Sequence, residues 1–70
     1  SVSAPAPRGV PAPLSDAEIA AFSYEQAMKE WTSRKKASVK PDLDATTRQR
    51  LEEEAEKCRL RMQAAREEVR

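Results

Sequence analysis

The sequence predicts an all-α fold, a two-helix antiparallel hairpin with an extended Pro/Ala-rich N-terminal arm, and three observations carry that prediction. In the C-terminal half Leu51, Ala55, Cys58, Met62, Ala65 and Val69 step by four, three, four, three and four residues, the spacing of a helix seam. An earlier stretch repeats apolar residues at helical spacing and ends at Lys40-Pro41, and the linker of about four residues that follows usually makes two helices antiparallel neighbours. Each stretch is also acidic at its start and basic at its end, so antiparallel packing sets opposite charges side by side.

Residues 1–14 form the expected arm. They hold four of the five prolines and the only glycine, which favours an extended backbone lying along a surface. A disordered tail is the alternative reading. The prolines at 5, 7, 11 and 13 never stand three apart, so a PxxP ligand is not expected.

Residues 15–70 form the expected hairpin, with helices over about 16–38 and about 44–69. Ser15 and Glu18 have the capping-box spacing, Leu14 and Ile19 the staple spacing, and Asp16 lies in the first turn. Ala20, Tyr24, Ala27, Met28 and Trp31 then recur on one side, continuing weakly through the stem of Lys35 toward Val39. They are the expected buried face. Ile19 and Phe22 project about 150° away, so a second surface must cover them, either the returning arm through Val10 or Leu14 or a neighbouring protein. Pro41 ends the first helix, and Asp42 or Asp44 caps the second. Ala55, Cys58 and Ala65 are small enough to let another backbone approach closely and receive Trp31, Met28 or Tyr24.

The chain of 70 residues offers a thin core. One cysteine excludes an internal disulfide, and with no histidine and no second cysteine the chain is not expected to build an ordinary zinc site by itself. The missing stabilisation is expected from a partner. A formal charge of +1 argues against a general nucleic-acid or membrane-surface binder, and no apolar run approaches the ~20 residues of a spanning helix.

Catalysis is not expected. Glu52, Glu53, Glu54 and Glu56 fan around a helix axis and read as a solvated face, and Ser15 is occupied as a cap. Arg34, Lys35 and Lys36 beside Trp31 allow a phosphate-grip reading, but the hairpin charge pattern already accounts for them. Cys58 reads as a small buried residue, with a covalent link to a partner as the alternative. No catalytic, cofactor-binding or metal residue is assigned.

These readings imply a non-catalytic accessory or structural subunit that docks on a large multi-subunit complex, with residues 1–14 as a tether over neighbouring subunits. The expected partner-contact residues are Ile19, Phe22, Tyr24, Trp31, Leu60 and Met62, and the expected partners are larger protein subunits, not nucleic acid. The complex itself can be membrane-embedded. The Ala/Pro-rich start without methionine resembles the mature end of an imported organellar protein, which makes a plastid or mitochondrial complex, photosynthetic or respiratory, the expected setting.

Ser23-Tyr24-Glu25-Gln26-Ala27-Met28-Lys29-Glu30, followed by the Leu51 to Val69 seam, is similar to the two helices of the exonuclease VII small subunit. That resemblance covers about half the chain and gives the alternative reading. It implies an antiparallel helical hairpin that supports a large single-strand nuclease and has no catalytic residues of its own.

Overall fold

A computed structural model describes residues 10–68, and these form an all-α structure of three helices. They are α1 (Asp16–Ala20), α2 (Tyr24–Ser38) and α3 (Ala45–Glu68). The single helix expected over 16–38 is therefore two.

The break has a local cause. Ser23 accepts a hydrogen bond from the Gln26 N–H, and Gln26 in turn accepts one from the Ser23 N–H, so a second capping box starts a new helix at Tyr24. The Ser15–Glu18 box is present as expected and starts α1. At the break the Ala21 and Phe22 N–H groups donate back to carbonyls of α1, and the Ser23 N–H donates to the Gln26 side chain.

α3 begins after Asp44, whose carboxylate accepts from the Thr47 hydroxyl at 2.6 Å and the Thr47 N–H at 3.3 Å. Those two bonds hold the Asp44 carboxyl below its ordinary range, the hydroxyl first and the N–H second. A folded-state value below the unfolded one gives stability that is present above the ordinary carboxylate range and lost as pH falls through the folded value. Asp44→Ala is expected to lower stability at neutral pH and to remove this part of the acid-induced loss, read from urea midpoints across an acid pH series.

α3 runs back along α2. The Ser38 carbonyl accepts from Arg48 Nε at 3.2 Å, Arg34 Nε reaches Glu54 Oε1 at 3.1 Å, and the Phe22 carbonyl accepts from Arg61 Nε at 2.8 Å. Later residues of α3 thus meet earlier residues of α2. Small residues close the pair, since Ala27 and Ala37 of α2 and Ala55, Cys58 and Ala65 of α3 are all buried. Leu51 is fully buried with them, and Met62 is half-buried. Of the predicted seam, only Val69 lies outside the described residues.

The buried face of α2 differs from the expected one. Tyr24 and Met28 are exposed and Trp31 is half-buried, whereas Ala27, Arg34, Ala37 and Ser38 are buried. Alanines at the contact bring the two backbones close, and the bulkier side chains one turn away are displaced to the flank.

The expected arm is also revised where it is described. Residues 1–9 lie outside the described residues, but residues 10–14 lie without helix against the chain's own α2 and α3. Val10 is buried with Ala37 and Leu51, and Leu43 packs against that group. For these five residues the surface covered is internal, not a neighbouring subunit.

Candidate functional site

Arg34 and Glu54 occupy inward positions of their helices. Arg34 lies seven residues after Ala27, and Glu54 lies three after Leu51 and four before Cys58. They are 1% and 6% exposed. The expected solvated acidic face over 52–56 therefore holds for Glu52, Glu53 and Glu56 but not for Glu54. Burying either charge alone would be costly, so each is enclosed by partners.

Those partners include the arm. Glu54 Oε1 accepts from Arg34 Nε at 3.1 Å and Arg50 Nη1 at 3.0 Å, and its Oε2 accepts the Leu14 N–H at 2.9 Å. Arg34 also pairs with Glu30 through Nη1 and donates from Nη2 to the Ala12 carbonyl at 2.6 Å. Arg50 Nη2 donates to the Pro11 carbonyl at 3.1 Å. Two cations and one anion thus hold three backbone groups of residues 11–14, and among the described residues no buried side-chain polar atom lacks a partner.

The arm suits this clamp. Pro11 and Pro13 disfavour helical geometry in the residues before them and carry no N–H groups, and the stretch offers carbonyls at Pro11 and Ala12 and an N–H at Leu14. Two arginines therefore find acceptors, and one carboxylate finds the Leu14 donor. The planar guanidinium reaches several acceptors at once, which a lysine ammonium in the same place could not do with fixed geometry.

The six residues expected to contact a partner are dispersed. Ile19 is 5% exposed and Leu60 is 50% exposed; with Asp16, Ala20, Lys57 and Arg61 they line a cavity of about 310 Å³ between α1 and α3. Ile19 is already covered within the chain, which corrects its expected outward role. Tyr24, 37% exposed, and half-buried Met62 line a second cavity of about 250 Å³ with Arg59, Gln63 and Arg66. Phe22 and Trp31 are half-buried.

Cys58 is buried, and desolvation pushes its thiol up from the ordinary value, opposed by the nearby Arg34 charge. That is the behaviour of a packing residue. Among the described residues no group of three or more His, Cys, Asp or Glu side chains could hold a metal ion, and no helix is long and apolar enough to cross a membrane.

No protein-family model matches the chain, and neither does any curated protein or solved structure.

Proposed function

We propose that this chain is a non-catalytic accessory subunit that docks on a larger multi-subunit complex through the side of the α2–α3 pair opposite the arm. One observation carries the reading. By the helical period, Glu30 and Ala37 lie on one side of the Ala27–Arg34–Ser38 contact line, and Tyr24, Met28 and Trp31 lie on the other. Residues 10–14 cover the first side. The second leaves Tyr24 and Met28 37% and 40% exposed, with Tyr24 beside Met62.

Exposed apolar residues gathered on one side mark an interaction surface more often than residues scattered singly do. Tyrosine and tryptophan are suited to this role because they bury a large area with few rotatable bonds. Phe22, Tyr24, Trp31 and Met62 are the proposed anchors, and Leu60 is a separate outer contact beyond α1.

The test is stoichiometric co-purification of the tagged chain with larger subunits, repeated with Tyr24→Asp and Met28→Asp. Both positions are exposed, so the helical circular dichroism should be unchanged while the co-purifying subunits are lost. Retention of the same subunits by both variants would contradict the reading. Recovery of one large single-strand nuclease, with cleavage altered by the chain, would instead assign the exonuclease VII-like alternative.

A further inference from the structure

The geometry points to residues 10–20 as an exchangeable cover, so that the groove formed by Arg34, Arg50 and Glu54 accepts the same segment from a second copy of this chain. The groove reads backbone. Arg34 holds the Ala12 carbonyl, Arg50 holds the Pro11 carbonyl and Glu54 holds the Leu14 N–H, while Val10 seats beside Ala37 and Leu51. Each of these contacts is the same whichever copy supplies the segment.

The link between the cover and α2 is built to change shape. Residues 21–23 contain neither glycine nor proline, and Ala21 is already helical, with φ −84° and ψ −7°. Ser23 has φ −74° and ψ 170°, so its departure from a helix is chiefly in ψ. Rotation at the link fuses α1 and α2 into one helix over 16–38, which is the helix the apolar periodicity of that stretch fits.

Chain geometry then forbids the internal contact. In a continuous helix Ser15 stands 19 residues before Arg34, about 28 Å along the axis, and the three residues back to Ala12 span only about 11 Å. A straightened chain leaves its own groove empty. The segment that matches that groove is the cover of another straightened chain, and two such chains satisfy each other reciprocally.

The bent and exchanged forms share their groove contacts and differ at the link. Bending keeps the Ser23–Gln26 box and the bond from Arg61 Nε to the Phe22 carbonyl; straightening replaces them with continuous helical hydrogen bonds. Chain concentration and the Ser23 cap together set the balance.

Sedimentation equilibrium of the full chain, from micromolar to millimolar, tests this with three variants. Ser23→Ala removes the side-chain cap and favours the continuous helix, so dimerisation should tighten by about fivefold per chain, about thirtyfold per dimer. Tyr24→Pro places proline at the first position of α2, where the preceding residue is already extended and the N–H is not needed, but it forbids a helix running through the link. It should stay monomeric with its helix content intact.

Tyr24→Ala removes the same ring but keeps the N–H, and should dimerise at least as well as the unaltered chain. A Ser23→Ala chain that stays monomeric at millimolar concentration would overturn the inference, as would a Tyr24→Pro chain that dimerises. If Tyr24→Ala and Tyr24→Pro abolish dimers alike, association rests on the exposed ring. That outcome rejects segment exchange and leaves the docking reading untouched.

Discussion

Arg34→Met is expected to destabilise the chain by about 3–5 kcal/mol, measured as the loss of unfolding free energy in urea. The cost arises because Arg34 is buried and serves three partners, Glu30, Glu54 and the Ala12 carbonyl. Removing it leaves the Ala12 carbonyl without its donor and Glu54 dependent on Arg50 and the Leu14 N–H. The exposed Lys57–Asp16 pair, at a similar 2.8 Å, sets the contrast. Lys57→Ala should leave the urea midpoint nearly unchanged, because water and salt screen that pair. Replacing both buried partners, as Arg34→Met with Glu54→Leu, should recover only part of the loss, since it removes the unpaired buried carboxylate but leaves the Ala12 carbonyl and the Leu14 N–H without partners.

Leu51→Ala is the second large effect, at about 2–5 kcal/mol. Leu51 is fully buried and packs with Val10 and Ala37 at the place where the arm meets both long helices. Deleting its side chain removes the floor under Val10, so the arm should loosen even where α2 and α3 remain paired. Leu60, half exposed on the outer side of α3, gives the comparison: Leu60→Ala should lie within about 0.5 kcal/mol of the unaltered chain. For a domain of this size a loss of several kcal/mol approaches the whole margin of stability. Both core variants should therefore show much lower urea midpoints than the unaltered chain.

Much of the frame was legible because it rests on local chemistry. Ser15 with Glu18 and Asp44 with Thr47 act within one helical turn, and the run from Leu51 through Ala65 buries the side its spacing selects. The break at residues 21–23 was harder to see. Ser23 and Gln26 have the same capping spacing as Ser15 and Glu18, but apolar residues continue across them at helical intervals, and that periodicity favoured one helix.

The clamp was missed for a different reason. Charged residues are so seldom buried that Glu54 is read with its acidic neighbours as a solvated face, while Arg34, with Lys35 and Lys36, is read only as part of the opposite-charge pattern between the helices. A signal was present. Each sits at an inward position of its own helix, and the two have opposite charge, as buried pairing requires. Tyr24 and Met28 share a helical side with Ala27 and are expected inside for that reason, but the buried line of α2 runs through Ala27, Arg34 and Ser38 and leaves them on its flank. The closing of the arm over its own helices depended on backbone carbonyls at Pro11 and Ala12, which a pattern of side chains does not display.

The account turns on residues 10–14 being held by Arg34, Arg50 and Glu54, and the Leu14 amide reports on that directly. Its hydrogen is donated to Glu54 Oε2 at 2.9 Å, although Leu14 belongs to no helix. Native-state hydrogen exchange followed by NMR should find this amide protected well above the unfolded-chain rate, with the protection lost in Glu54→Gln or Arg34→Met. A Leu14 amide that exchanges as fast as an unstructured peptide in the unaltered chain would contradict the clamp and the arrangement built on it.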